Sequence, residues 1–168
     1  MKTSSTPLPG HRPGRHLQLP EDPHHDAYFH QGKPAAPAVC QDCHAVFQHG
    51  HWAWGQAPLG AAGALCPACQ RIREQQPGGY VTLEAALTAR EQDELVRLLR
   101  NVEHRETIDH AMERIIDMTA APGKLLVTTT SPHLAQALAA AVERAMGGQA
   151  EFAFSRGEHL LRVRWQRA

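Results

Sequence analysis

All four cysteines of this chain fall in two matched pairs, Cys40-Gln41-Asp42-Cys43 and Cys66-Pro67-Ala68-Cys69. A C-x2-C turn lets two thiolates converge on one ion while backbone N–H groups point at the sulfurs. Two such knuckles supply the four soft ligands of a closed tetrahedral Zn²⁺ site. The spacer, residues 44–65, is slightly longer than the usual ribbon spacing. The pattern predicts zinc held by Cys40, Cys43, Cys66 and Cys69, with no coordination position left for a catalytic water. Two other chemistries share the spacing. Cys40-x-x-Cys43-His44 formally matches a c-type haem attachment sequence, which requires export. Cys66-x-x-Cys69 can be read as a dithiol redox pair, although such pairs follow a strand in a βαβ setting and a Gly/Ala-rich segment precedes this one.

The surrounding sequence sets the compartment and the size of the core. The first twenty residues carry positive charge without an apolar h-region, and no apolar run is long enough to span a bilayer. A reducing cytoplasm is the expected location, where paired cysteines hold metal rather than form disulfides. At 168 residues there is room for a small metal module beside one compact core. Aromatic residues make up only 5%, so that core is expected to be aliphatic. The 17 basic and 17 acidic side chains cancel, which removes any whole-chain argument for nucleic-acid binding and leaves only local patches.

Three blocks follow from composition and rhythm. Residues 1–37 read as a disordered Pro/His-rich arm, because Pro7, Pro9, Pro13, Pro20, Pro23, Pro34 and Pro37 interrupt any helix. Ala27-Tyr28-Phe29-His30 is its one apolar spot suited to docking. Residues 38–79 form the expected zinc-ribbon module. Val46, Trp52 and Trp54 suggest a hairpin, residues 57–65 a loose run, and residues 70–74 a helical turn ended by Pro77-Gly78-Gly79.

Residues 80–168 read as an α/β domain. Residues 80–83 alternate like a strand. Ala89 to Asp109 reads as a helix, with Leu95, Leu98, Leu99 and Val102 on one face. Met112, Ile115 and Ile116 suggest a second helical turn that stops at Pro122-Gly123. Residues 124–130 are strand-like, and Ser131-Pro132 is a capping hydroxyl followed by proline at the first helical position. That helix runs to about Met146 and buries Leu134, Leu138 and Val142. A closing hairpin pairs residues 151–155 with 160–165 around Arg156-Gly157-Glu158. The expected fold class is α+β: a zinc ribbon followed by a small α/β sandwich in the order β-α-α-β-α-β-β.

Little else carries chemistry. His44, His49 and His51 read as surface imidazoles, since four cysteines already saturate the ion. The arm's His11, His16, His24, His25 and His30 belong to a solvated tail or bind metal transiently. Gly123-Lys124 lacks the rest of a phosphate loop. Residues 128–131 lead into a helix N-terminus, where hydroxyls and orphan N–H groups serve as caps or hold an anion. Arg162 and Arg164 share a strand face, and Arg71 and Arg73 lie near Trp52 and Trp54 in the chain. Basic side chains beside stacking aromatics suit RNA. No small-molecule substrate is identifiable. The expectation is a non-enzymatic, zinc-binding protein associated with RNA or the ribosome. The alternative is a zinc-stabilised protein–protein adaptor in stress or redox response.

Several segments together resemble a known family. They are Cys40-Gln41-Asp42-Cys43-His44-Ala45-Val46-Phe47, His51-Trp52-Ala53-Trp54, Cys66-Pro67-Ala68-Cys69, Val127-Thr128-Thr129-Thr130 through His133-Leu134-Ala135, and Leu161-Arg162-Val163-Arg164-Trp165. Over residues 38–168 the chain resembles small bacterial zinc-ribbon proteins of unsettled function. That family is distantly similar to the N-terminal region of the Nmd-three ribosomal export adaptors. The resemblance implies zinc at the four cysteines, and ribosomal RNA or ribosomal proteins as partners.

Overall fold

The computed structural model describes the backbone of Thr6–Pro7, the residue Tyr28, and residues 33–168. Most of the arm expected over residues 1–37, including His11, His16, His24, His25 and His30, lies outside the described residues. Where the arm is described, it is engaged. Thr6–Pro7 (β1) pairs antiparallel with a strand edge formed by Ala153 and Phe154. Tyr28 donates a hydrogen bond to the Glu74 carboxylate at 2.6 Å and lies under the Arg71 guanidinium at 4.3 Å.

The cysteine module is built on a sheet of four short strands. β2 (Ala38–Cys40), β3 (Val46–Gln48), β4 (His51–Ala53) and β5 (Ala62–Ala64) lie in the order β4-β3-β2-β5. The β3–β4 hairpin matches the expectation from Val46 and Trp52. His49 (φ 53°) and Gly50 (φ 83°) make its two-residue turn, and paired positive φ values suit the twist of the flanking strands. The run expected to be loose contains β5, which pairs parallel with β2. The helix α1 (Pro67–Glu74) begins earlier than the helical turn read from residues 70–74. Pro67 suits its first turn, and Cys66 is the N-cap.

The larger sheet has six strands in the order β1-β9-β10-β6-β8-β7. They are β6 (Gly79–Glu84), β7 (Ile115–Ala121), β8 (Lys124–Thr129), β9 (Gln149–Ser155) and β10 (Leu160–Gln166), together with β1. The central strand β6 runs parallel to β10 and antiparallel to β8. Two helices cover one face: α2 (Ala89–Asp109) and α3 (Pro132–Met146). Thr88 and Glu91 form a reciprocal capping box at the start of α2, and Ser131 caps α3 through the Leu134 N–H. Leu95, Leu99, Leu134, Leu138 and Val142 from the helices meet Val81, Leu83, Val127, Leu161, Val163 and Trp165 from the sheet. Trp165 is fully buried, and its indole N–H donates to the Gly147 carbonyl at 2.8 Å.

One element is corrected. The helical turn expected from Met112, Ile115 and Ile116 is not formed; Ile115–Ala121 is strand β7, so the order is β-α-β-β-α-β-β. The short apolar cluster fits either period. Ala121-Pro122-Gly123-Lys124 turns a hairpin rather than ending a helix: Ala121 pairs with Lys124, and Gly123 takes φ 69°. Gly79 has a packing role as well. A Cβ there would meet the Ala135 Cβ and the Thr129 Oγ1, each at 2.5 Å, so only glycine lets β6 start this close to α3.

Candidate metal centre

Local backbone geometry aims all four sulfurs inward. Cys40 ends β2, and the chain turns back so that the His44 N–H donates to the Cys40 carbonyl at 3.0 Å and the Cys40 N–H to the Ala45 carbonyl at 2.8 Å. His44 closes this turn at φ 65°, in the left-handed region. Its part in the knuckle is therefore conformational. The second knuckle opens α1. Its Cys66 sulfur accepts the Cys69 N–H at 3.4 Å, and the Cys66 N–H in turn donates to the Cys40 sulfur at 3.4 Å. The second pair thus supplies backbone donors to a sulfur of each knuckle.

The four sulfurs lie within 4.8 Å of one another, and those of Cys43 and Cys66 are 3.7 Å apart. A tetrahedron with metal–sulfur bonds of ~2.3 Å has sulfurs ~3.8 Å apart, so the donor set fits one ion. All four cysteines are unbridged, and Cys40, Cys66 and Cys69 are buried. Four cysteines so placed can bind a metal ion.

Burial and hydrogen bonding divide the thiols. Burial pushes Cys40 up, but the backbone N–H groups of Cys43, Cys66 and Asp42 outweigh it and leave the thiol at about 7. Burial pushes Cys66 strongly up, and the charges of its three sulfur neighbours add to that. Burial also raises Cys69, to about 11, against the pull of Cys66 and Arg114. A cation in the centre is what allows such sulfurs to share negative charge in a buried place.

That cationic role is partly filled by a residue that no motif singles out. Arg114 sits between α2 and β7, far along the chain from both knuckles. Its Nη2 donates to the Cys43 sulfur at 3.0 Å and lies 3.7 Å from that of Cys66, while Nη1 donates to Cys69 at 3.4 Å. Burial works against its charge, but the thiolates of Cys43 and Cys69 raise its pKa further above its ordinary value. Ala111 is buried against the cysteines, with Met112 half-buried beside it. Trp54 extends over the same seam, its indole N–H donating to the Thr107 carbonyl at 2.6 Å and its ring 5.6 Å from the Arg114 guanidinium carbon.

The six residues assigned to RNA contact fall in two places. Arg71, Arg73, Trp52 and Trp54 belong to the cysteine module, whereas Arg162 and Arg164 lie on β10. Arg71 is buried and donates to the Gln76 carbonyl at 2.9 Å. Arg73 is paired with Asp42. Trp52 is half-buried against Phe47, with ring centroids 5.4 Å apart. Arg164 pairs with Glu84 at 2.8 Å. Arg162 lies 4.0 Å from the Glu158 carboxylate and 5.8 Å from the Tyr80 ring centroid.

Three of the hydroxyls considered for an anion, those of Thr129, Thr130 and Ser131, are used internally. Ser131 donates to the Glu113 carboxylate while capping α3, Thr129 donates to the Ser131 carbonyl at 2.7 Å, and Thr130 to the Met112 carbonyl at 2.6 Å. Capping is the reading these bonds support, and Glu113 makes the helix N-terminus unattractive to an anion.

Among the described residues, no helix is long and apolar enough to cross a membrane. No protein-family model matches this chain, and comparisons with curated proteins and with solved structures find no match.

Proposed function

We propose that this chain is a zinc-stabilised, non-enzymatic adaptor that presents a folded surface to a polypeptide partner. The observation that carries it is the closed centre: four inward sulfurs within 4.8 Å of one another, with backbone N–H groups and Arg114 donating to them. Four thiolates suit zinc, and a filled tetrahedron stabilises a fold rather than activating water.

The charge pattern favours protein over RNA. On the sheet face turned away from the helices, register places Arg162, Arg164 and Lys124 among Glu151, Glu84 and Asp117. Opposite charges in adjacent strands stabilise one another and do not form a continuous track for phosphates. The RNA reading keeps one point in its favour: Tyr80 stands beside Arg162 on that face, a ring and a cation side by side.

The test is affinity capture of the full chain from its native host, with and without nuclease, and with metal measured on the same sample. A polypeptide that stays bound after nuclease treatment, together with one zinc per chain, is the expected result. Release by nuclease with a steep salt dependence would instead establish RNA as the partner. Freshly isolated protein without metal would overturn the zinc reading.

A further inference from the structure

We propose that Arg114 is the clasp of the cysteine centre. It is a positioning residue whose guanidinium balances thiolate charge and fastens the cysteine module to the helix-covered sheet, so that metal loading and docking occur together. The inference rests on the zinc reading above and extends it to a residue outside the motif.

A dication bound by four thiolates carries a net charge of about −2, which is costly to bury without a compensating cation nearby. Arg114 provides that cation at 3.0 Å from Cys43 and 3.4 Å from Cys69, one sulfur from each knuckle. The planar fork matters because its two terminal nitrogens reach different sulfurs at once, which an ammonium does not reproduce.

The other end of Arg114 is anchored in the larger unit. Its Nε donates to the Ala111 carbonyl at 3.1 Å, and its backbone N–H to the Thr130 hydroxyl at 2.9 Å. Its own carbonyl accepts the Thr130 N–H at 2.9 Å, just beyond the end of β8. One residue therefore joins the two units, its side chain on the cysteine sulfurs and its backbone on Thr130. Trp54 repeats the connection in the opposite direction, from the cysteine module to Thr107 of α2. Without an ion to gather both knuckles on one point, the two nitrogens of the fork lose the common target that they now share.

The experiment uses the full chain with zinc and a chromophoric chelator. Arg114→Met keeps the aliphatic stem and removes the fork, and Arg114→Lys keeps charge alone. Loss of such an outer partner weakens metal retention by about 10–100-fold. The expected order is wild type tightest, Arg114→Lys intermediate and Arg114→Met weakest. Docking is read separately from the indole N–H signals. Removing zinc from the wild type should expose the Trp54 indole to exchange, while the Trp165 indole, bonded to Gly147, stays protected. The wild-type measurement tests whether zinc and docking are linked, and the zinc retention of Arg114→Lys against wild type assigns the link to the fork even if Arg114→Met fails to fold. Equal zinc retention in Arg114→Met, or a Trp54 indole that stays protected without metal, would overturn the clasp and leave the zinc reading standing. A wild type that binds no zinc would overturn both.

Discussion

Replacing Cys66 by serine removes a fully buried sulfur that caps α1 by accepting the Cys69 N–H. The expected cost follows from how little else the cysteine module buries. Its fully covered apolar side chains, other than cysteine, are Ala38, Ala45, Val46, Phe47 and Ala68. Only Val46 and Phe47 are large, and each contributes roughly 1.5–3 kcal/mol by burial. A structural zinc site contributes ~10–16 kcal/mol. The metal term is thus several times the apolar one. Losing one of four ligands removes enough of it to unfold β2–β5 and α1. The helix-covered core is independent of that ion, because Leu83, Leu95, Leu99, Leu138, Leu161 and Trp165 are buried with no help from sulfur. Hydrogen exchange followed by mass spectrometry separates the two units. Peptides spanning residues 38–76 should exchange freely in Cys66→Ser, and in wild type stripped by chelator, while those from β6, β8 and β10 stay protected. Unchanged protection over residues 38–53 would refute the argument that metal rather than packing holds this module. Simultaneous loss of protection in β6 and β10 would refute the independence of the larger core.

Two further outcomes follow from local chemistry. Metal and protons compete for the same sulfurs, so zinc affinity should fall as pH falls. Below about 7, where the metal-free Cys40 thiol also holds its proton, the fall should steepen by about one decade of Kd per pH unit; chelator competition showing a flat profile there would contradict this. At the start of α2, Thr88→Ala breaks the capping box and should cost about 1 kcal/mol in urea denaturation. Arg167 first, and then Thr88, hold the Glu91 carboxyl at about 2 instead of the ordinary 4.5. Because that value is depressed, the stabilisation is present above about 4.5 and is lost as pH falls toward about 2. Thr88→Ala should narrow that loss, as seen in acid titrations followed by circular dichroism.

Much of this architecture is visible in residue order alone, and the exceptions have physical causes. Ala89–Asp109 and Pro132–Met146 carry their own start signals, in Thr88 with Glu91 and in Ser131 with Pro132, and their apolar faces repeat at helical spacing. The cysteines identify their own cluster because each pair is local and only the meeting of the pairs is long-range. By contrast, Ala62–Ala64 has no side chain that favours a strand; it is extended because β2 offers it a parallel partner. Ile115–Ala121 misleads because two adjacent isoleucines fit either a helix face or a strand, and only the pairing with β8 decides. Gly78-Gly79 reads as a helix stop, yet Gly79 is needed because α3 and β8 leave no room for a Cβ. Arg114 carries no sequence signal at all. Its role comes from the fold bringing the start of β7 against two turns far upstream.

The placement of charge bears on what this molecule recognises. A protein that reads a polyanion gains from cations held apart from carboxylates, so that phosphates replace water rather than an existing partner. Here Arg73 faces Asp42, Arg164 faces Glu84, and the Arg162 guanidinium lies near both Glu158 and the Tyr80 ring. Recruiting any of these to a phosphate first breaks a bond already made. Exposed pairs of this kind add little to stability, a median of about 0–1 kcal/mol. In general, opposite charges set side by side favour a partner of matching mixed charge and give weak attraction to a uniform polyanion, which is the ground for the adaptor proposed above. Arg114, by contrast, is turned inward to the sulfurs. Its charge is directed at the cysteine centre, while on the sheet face turned away from the helices Arg162, Arg164 and Lys124 alternate with Glu151, Glu84 and Asp117.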